Sequence, residues 1–252
     1  MTNRHFPDLK SRVAEKRSIS GLWMMTINPA FAELASLYEL DFLIVDLEHG
    51  AITLADLPGI LRAFSGETAA IVRVPSSDPT IIARVMDRGA HGVMIPRVES
   101  VEEAEQASAA AKYPPMGKRG IAFPALRASG YGMNSAYRSS VDNLGMVVIQ
   151  IESRAALSLL PQIAGLPNVD AVFLGPSDLS ADMGLEGSKD FDVIVENFLI
   201  ECKDLPCLSG TIGFGNFSRE RLLGLGCQMM VLGSDLSVMR NGLATFKEQV
   251  SR

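Results

Sequence analysis

Residues 42–50 read FLIVDLEHG, and this stretch decides the fold of the chain. Strands of a parallel sheet are covered on both faces, so they consist of unbroken apolar runs. Residues 42–46 therefore predict a buried parallel strand, and the polar residues after it predict a turn at its end. Seven further short apolar runs lie along the chain, separated by amphipathic stretches. This alternation is typical of βαβ units around a parallel sheet.

The predicted elements match a single α/β barrel. The strands are residues 21–26, 42–46, 69–74, 92–96, 145–151, 171–174, 207–212 and 229–232. The helices are residues 7–16, 29–38, 54–64, 78–88, 101–112, 154–164, 191–204, 218–224 and 235–247. A (β/α)8 barrel takes about 250 residues, close to the length of this chain. We predict one domain, residues 1–252, that forms a TIM barrel with its leading helix under the bottom. A doubly wound open sheet is the competing architecture.

Residues 113–143 break the alternation of strands and helices. This segment is rich in Pro, Gly, Ser and Arg and has no periodic apolar pattern. An insertion of this length inside a barrel is more often a functional loop than a linker. We therefore predict a functional loop here.

The composition is that of an ordinary globular protein, with 47% hydrophobic and 21% charged residues. A net charge of −6 argues against nucleic acid or an anionic membrane as a partner. The three cysteines have no metal-ligand spacing and are odd in number, which favours free thiols in a reducing cytoplasm. The polar start lacks the apolar core of a signal peptide, and no apolar run reaches the length of a membrane span. We expect a soluble, cytoplasmic protein.

Polar residues follow five of the predicted strands at their C-terminal ends. Catalytic residues of α/β barrels project from this end, whereas the opposite face mainly serves stability. His49, Glu152 and Asp178 follow three different strands, Arg73 stands at the end of a fourth, and residues 233–235 follow the eighth. Each has a structural alternative; an aspartate in this position is often only the N-cap of the next helix. Because these residues share one end of the barrel, we predict that they form one reaction centre.

These residue types point to metal-assisted chemistry on a 2-oxo acid. Two carboxylates without accompanying His or Cys are hard oxygen ligands, which favour Mg²⁺ or Mn²⁺. A metal held by Glu152 and Asp178 would polarise a keto oxygen as an enolate forms. Arg73 would add positive charge at the same oxygen. His49 is the candidate acid or base, because the pKa of free imidazole lies near neutrality.

Missing residues exclude other chemistries. A Schiff-base aldolase needs a lysine in the barrel, commonly at a strand end, and none of the seven lysines lies in a predicted strand or at its C-terminal end. A zinc aldolase with several histidine ligands is disfavoured, because His5 lies in the N-terminal tail and His91 precedes the fourth strand. No GxxxxGK[ST] or GxGxxG signature marks a nucleotide site.

The sequence resembles the class II pyruvate aldolases of the HpcH/HpaI aldolase and citrate lyase family. The resemblance runs from residue 21 to the last helix, and its most specific stretches are FLIVDLEHG, IVRVP, YPPMGKRG, VIQIES and VFLGPSDLSADMG. It implies a reversible retro-aldol cleavage of a 4-hydroxy-2-oxo acid to pyruvate and an aldehyde. It also implies a divalent metal (Mg²⁺, Mn²⁺ or Co²⁺) on Glu152 and Asp178. His49 would be the base, acting through a water on the metal, and Arg73 would stabilise the transition state.

The resemblance implies further site residues and an assembly. Gln150 and Ser177 match substrate contacts, and we add Trp23 and Asp178 to that set. Asp87 matches an aspartate that supports the histidine from a neighbouring subunit, and Asp46 belongs to the same network. The implied assembly is a homohexamer, a trimer of dimers, in which the last helix is exchanged between partners.

Some residues depart from the family's pattern. The second strand ends in DLEHG where several members have DGEHA, and Arg97 stands where many carry an apolar residue. These differences leave the pyruvate half of the reaction intact and put the aldehyde half in question. The alternatives are cleavage of an acyl-CoA of the citrate or malyl-CoA type and, from another class, a non-catalytic binding barrel.

Overall fold

The computed structural model describes residues 6–251, so His5 lies outside the described residues. Eight parallel strands form a closed barrel in chain order, in which β8 pairs with β1. They are β1 Ile19–Met24, β2 Phe42–Asp46, β3 Ala69–Arg73, β4 Gly92–Ile95, β5 Met146–Ile151, β6 Ala171–Leu174, β7 Leu208–Ile212 and β8 Met229–Ser234. The predicted (β/α)8 barrel is confirmed, and the open-sheet alternative is wrong.

Twelve α-helices occur among the described residues, and they surround the barrel. They are α1 Leu9–Lys16, α2 Pro29–Leu37, α3 Leu57–Ala63, α4 Pro79–Asp87, α5 Val101–Ala111, α6 Tyr137–Leu144, α7 Arg154–Ser158, α8 Leu160–Ala164, α9 Pro176–Met183, α10 Lys189–Glu201, α11 Arg219–Leu225 and α12 Asp235–Val250. Short 3-10 turns occupy Phe123–Ala125 and Cys202–Asp204. None of the helices in the described chain is long and apolar enough to cross a membrane.

One helix prediction and one loop prediction were wrong in detail. The helix predicted for residues 154–164 is two short helices, because Pro161 has no backbone N–H and stands in the first turn of the second one. The segment 113–143 is not a loop throughout, since α6 begins at Tyr137. Only Tyr137 and Val141 of α6 are buried, which is too little apolar periodicity to read from the sequence.

The core has two parts. One fills the inside of the barrel, where Phe42, Ile44 and Phe173 are completely or almost completely buried. Leu9 and Val13 of α1 pack against this inner cluster, so the leading helix covers the bottom of the barrel as predicted. The other part lies between the strands and the surrounding helices.

One buried carboxylate links the end of β8 to the end of β1. Asp235, the first residue of α12, accepts hydrogen bonds from the Met25 N–H at 3.0 Å and the Thr26 N–H at 2.9 Å. Its Oδ2 also accepts the Thr26 hydroxyl proton at 2.6 Å. These bonds join the ends of the first and last strands and fix the start of α12 at the rim. They also explain why the first strand ends at Met24, two residues before its predicted end.

Beyond Asp235, α12 contacts its own chain sparsely. Asp235 is its one buried residue, whereas Leu243, Phe246 and Val250 are each more than 60% exposed. Beside the helix lies an apolar cavity of about 550 Å³, lined by Phe31, Leu34 and Tyr38 of α2 and by Val238 and Met239 of α12, among others. The last helix thus leaves apolar surface uncovered on itself and on its neighbour.

Candidate active site

Six of the predicted site residues line one cavity of about 510 Å³ at the C-terminal end of the barrel. They are Trp23, His49, Arg73, Gln150, Ser177 and Asp178. Apolar side chains, among them Phe173, Ile212 and Leu236, form much of the remaining wall. Strands that are far apart in the sequence therefore place a histidine, an arginine and a carboxylate around one cavity. This is the location predicted from the C-terminal ends of the strands.

Arg73 is fixed on three sides. Its Nε donates to Asp46 Oδ1 at 2.8 Å, and its Nη2 donates to Asp46 Oδ2 at 2.6 Å. The guanidinium also lies over the ring of Trp23, 4.4 Å from its centroid. Asp46 is completely buried and holds the guanidinium in a planar fork. Asp46 accordingly acts here on the arginine, and it accepts the His49 backbone N–H at 3.4 Å rather than contacting the imidazole.

Glu48 connects the charged groups at the mouth of the cavity. Its Oε2 lies 3.2 Å from Arg73 Nη1 and 3.9 Å from His49 Nε2, and its Oε1 lies 3.1 Å from Arg97 Nε. The Glu48 side chain is almost completely buried, whereas that of His49 is 53% exposed. Glu48 and Arg97 were not predicted as site residues, although Glu48 stands in the motif that decides the fold.

Glu152 is a buried carboxylate that its neighbours hold in place. Its Oε1 accepts the Arg97 backbone N–H at 2.6 Å, and its Oε2 accepts from Gln150 Nε2 at 3.1 Å. Burial raises the pKa of Glu152 above its ordinary value of 4.5, against the lowering effect of the Arg97 N–H. The negative charges of Asp178 and Glu48 raise that pKa further, and the positive charge of Arg73 opposes them.

Asp178 stands in the first turn of α9, but it is not the cap of that helix. Gly175 is the N-cap residue and Ser177 precedes Asp178, so the alternative of a capping aspartate is wrong. A Cβ at Gly175 would lie 3.0 Å from Glu152 Oε2, so the glycine leaves room for that carboxylate. The first-turn amides of α9, including that of Ser177, have no acceptor within the helix and suit an anion.

The donor set fits a hard divalent cation. Glu152 and Asp178 repel each other electrostatically, and the Gln150 Oε1 beside them is buried without a hydrogen-bond partner. Within residues 6–251, no three His, Cys, Asp or Glu side chains gather as a metal centre. Two carboxylates alone leave most of an octahedral shell to water and substrate, the arrangement that Mg²⁺ or Mn²⁺ favours over structural zinc.

Asp87 lies away from the cavity of its own chain. It ends α4, and its Oδ1 accepts from Arg119 Nε at 3.0 Å and from Nη2 at 2.6 Å. Arg119 is itself buried, bonded to the Tyr137 hydroxyl at 3.0 Å and placed over the ring of Tyr113. Support of His49 by Asp87 from a second subunit stays a prediction. Arg119, which positions Asp87, was not predicted, because it lies in the irregular segment 113–143.

The residues that the sequence analysis set aside are indeed elsewhere. His91 is buried at the opposite end of the barrel, where its Nδ1 accepts the Ala70 N–H at 2.9 Å. All seven lysines lie outside the eight strands and outside the wall of the cavity. The buried one, Lys112, donates to the Gly145 carbonyl at 2.7 Å, just before β5 begins.

The chain is similar to known proteins over most of its length. The family model described as "HpcH/HpaI aldolase/citrate lyase" matches residues 19–241. The chain is 37% identical over 223 residues to the 2-dehydro-3,6-dideoxy-6-sulfogluconate aldolase of Pseudomonas putida, with 87% of each chain covered. It is 33% identical over 246 residues to the 5-keto-4-deoxy-D-glucarate aldolase of Shigella dysenteriae, with 96% of each covered. An HpcH/HpaI aldolase/citrate lyase family protein from Burkholderia cenocepacia superposes with a TM-score of 0.88 at 26% identity, over 100% of both chains.

Proposed function

The chain belongs to the HpcH/HpaI aldolase/citrate lyase family and is a carbon–carbon lyase, and from this premise we propose that it is a metal-dependent pyruvate aldolase. It would cleave a 4-hydroxy-2-oxo acid reversibly to pyruvate and an aldehyde. One observation carries the proposal: Arg73 and Asp178 line a cavity that no lysine of the described chain lines, and both act electrostatically on the buried carboxylate of Glu152.

The aldolase hypothesis is favoured over a non-catalytic barrel and over an acyl-CoA lyase. The non-catalytic barrel is wrong, because the named aldolases are related to this chain over most of its length. Cleavage of an acyl-CoA would need cations for the nucleotide phosphates. Arg73, the one Lys or Arg in the cavity wall among the described residues, is already committed to Asp46. The nearby Arg97 and Lys189 stand singly rather than as the basic cluster that such phosphates need.

The residues of the site have separate roles in the proposed reaction. A divalent ion held by Glu152 and Asp178 supplies Lewis-acid stabilisation of the developing enolate when it is bound. Arg73 directs a preorganised positive charge into the same volume, because Asp46 and Trp23 leave its guanidinium little freedom. The Ser177 amide would hold the carboxylate of the 2-oxo acid.

His49 is the group that we assign to proton transfer. Its imidazole lines the cavity and is half-exposed, so it can exchange protons with solvent. In the cleavage direction it would take the proton from the C4 hydroxyl as the C3–C4 bond breaks. The electrons of that bond pass to the enolate of pyruvate, and the aldehyde departs.

A metal and trapping experiment tests the proposal. Pyruvate and a panel of aldehydes are incubated with Mg²⁺, Mn²⁺ or Co²⁺, with a chelator-treated sample as the control. We expect condensation only with metal, and no loss of activity when borohydride is added with pyruvate. Covalent trapping of pyruvate on any lysine would contradict the metal-dependent mechanism.

We also propose that the chain assembles through α12 with further copies of itself, as a hexamer built of three dimers. Met239, Leu243, Phe246 and Val250 recur at helical spacing and form one exposed apolar face. The apolar cavity between α2 and α12 offers a matching surface for a second copy. Leu243→Glu with Phe246→Glu should reduce the mass measured by light scattering at micromolar concentration. Glu248→Lys, on the opposite side of the helix, should not.

A further inference from the structure

Arg97 is a non-glycine residue in a left-handed conformation at the mouth of the site. Its φ angle is 55°, in a region that L residues adopt at an energetic cost. This conformation directs its backbone N–H to Glu152 Oε1, at 2.6 Å. Glycine would make the same backbone contact without that cost. The strain therefore indicates that the side chain of this residue has a use.

The Arg97 side chain reaches from this anchor to the rim of the cavity. Its Nε lies 3.1 Å from Glu48 Oε1, while the other oxygen of Glu48 lies near Arg73 and His49, which line the cavity. One carboxylate therefore separates Arg97 from the reaction centre. The Arg97 side chain is 69% exposed. None of the described residues accepts a hydrogen bond from its two terminal nitrogens.

A guanidinium can bind two anionic groups at once, because it carries five N–H donors on two edges. Glu48 occupies the Nε of Arg97 and fixes the direction of the group. The free terminal nitrogens then face the solvent at the rim. The apolar part of the cavity wall, with Phe173, Ile212 and Leu236, has no charge to offer an anion.

We infer that Arg97 determines specificity by binding an anionic group, such as a carboxylate, at the far end of the aldehyde partner. This inference rests on the proposed aldolase function and adds the chemical class of the second substrate. The pyruvate half lies between Arg73 and the first turn of α9. An aldehyde that extends outward past His49 reaches Arg97.

A second cation on the same face provides a matched control. Lys189 lines a neighbouring cavity of about 380 Å³, which shares Ser177 and Ile212 with the site. It is exposed and begins α10. If the anionic end lay in that cavity, Lys189 rather than Arg97 would control the preference for charge.

The experiment compares a charged aldehyde with a neutral one of nearly the same shape. Condensation of pyruvate with 4-oxobutanoate and with its methyl ester is measured in the wild type, Arg97→Met, Arg97→Lys and Lys189→Met. The readout is the ratio of kcat/KM for the acid to that for the ester, so a general loss of activity cancels. We expect the wild type to prefer the acid and Arg97→Met to lower this ratio about tenfold, with Arg97→Lys between them. Lys189→Met should keep the wild-type ratio. Added salt should lower the ratio of the wild type, because it screens the charge of Arg97.

The outcomes separate the assignment of Arg97 from the proposed aldolase function. An unchanged ratio in Arg97→Met, or a wild type without preference, would overturn the assignment of Arg97. A ratio that falls only in Lys189→Met would place the anion in the neighbouring cavity and would overturn it as well. Exchange of pyruvate methyl protons into deuterated water, which needs no aldehyde, reports on the aldolase chemistry alone. If the wild type lacks this metal-dependent exchange, the proposed function fails, and this inference fails with it.

Discussion

Asp46 holds Arg73 with both carboxylate oxygens, at 2.8 Å and 2.6 Å, in a position where Asp46 is closed to solvent and Arg73 is exposed only toward the cavity. Removing one member of a buried ion pair leaves the other charge without compensation. The turn after β2 also depends on Asp46, because its Oδ1 accepts the backbone N–H of Glu48 at 3.0 Å. The same aspartate therefore contributes to stability and to the geometry of the site.

We predict that Asp46→Asn lowers both the stability and the activity. The loss should be about 3 kcal/mol, or a fall in Tm of roughly 6–12 °C for a chain of this size. Thermal unfolding and the rate of pyruvate methyl exchange measure the two effects. Asp56→Asn serves as the control, because Asp56 is a partly exposed aspartate that accepts hydrogen bonds from Thr53 and has no ion-pair partner among the described residues. Equal Tm values for the two variants would show that the Asp46–Arg73 pair contributes little to stability.

Arg73→Ala should abolish cleavage while metal binding persists. Loss of one preorganised donor to a developing oxyanion costs a factor of about 10² to 10³ in kcat. Arg73→Lys should recover little, since an ammonium cannot reproduce the bidentate contact with Asp46. Turnover assays and titration with Mn²⁺ separate catalysis from metal affinity, with Arg62→Ala as a surface control. An Arg73→Ala enzyme within threefold of the wild type would make Arg73 a structural residue of the rim.

The raised pKa of Glu152 predicts a pH-dependent stability for the metal-free protein. Because that pKa is higher in the folded chain than its ordinary 4.5, the folded state binds the extra proton between these two values. The stability that protonation of Glu152 contributes is fully present below pH 4.5 and is lost as the pH rises through the folded pKa. Glu152→Gln removes this loss, so its free energy of unfolding should increase relative to the wild type with pH.

Urea unfolding of the metal-free proteins, from pH 4.5 to neutrality, measures this difference. Glu105→Gln is the control, because Glu105 is exposed on α5 and should give an offset that is independent of pH. Addition of Mg²⁺ or Mn²⁺ should stabilise the wild type more than Glu152→Gln. A parallel pH dependence in all three proteins would show that Glu152 titrates as an ordinary surface carboxylate.

His49 and Asp87 should behave as one unit if a neighbouring subunit brings them together. Asp87→Ala and His49→Ala should each slow the exchange of pyruvate methyl protons, and the double variant should lose little beyond His49→Ala. The metal site should stay intact in all three. Fully additive losses would separate the two residues, and a monomer that remains active at high dilution would remove the need for a second chain.

The barrel was predictable because its strands are short apolar runs that are buried on both faces. β2 and β6 have the predicted bounds, since turn residues bracket them closely. The first strand was placed two residues late. Its start at Ile19 depends on the pairing with Met229, which lies more than two hundred residues away and is invisible to a local pattern.

The site was predictable wherever a strand end carries a polar side chain, as with His49, Arg73 and Glu152. Arg97 was noticed only as a departure from the family's pattern, because its role depends on a backbone angle that no residue type encodes. Arg119 lies 32 residues from Asp87 in a segment without periodicity. Sequence reasoning finds the side chains that face the chemistry more easily than the side chains that position them.

The contact of Asp235 with Met25 and Thr26 has a consequence for the order in which the chain acquires its structure. These residues are separated by 210 and 209 positions, so the barrel cannot close before β8 has been synthesised. Until then, β1 and β7 both present open edges, which are sites for pairing with other chains. During translation, the nascent polypeptide thus passes through a long interval with two unprotected edges. Substitutions at Asp235 should therefore reduce the yield of folded protein in the cell more than they reduce the stability of the finished barrel.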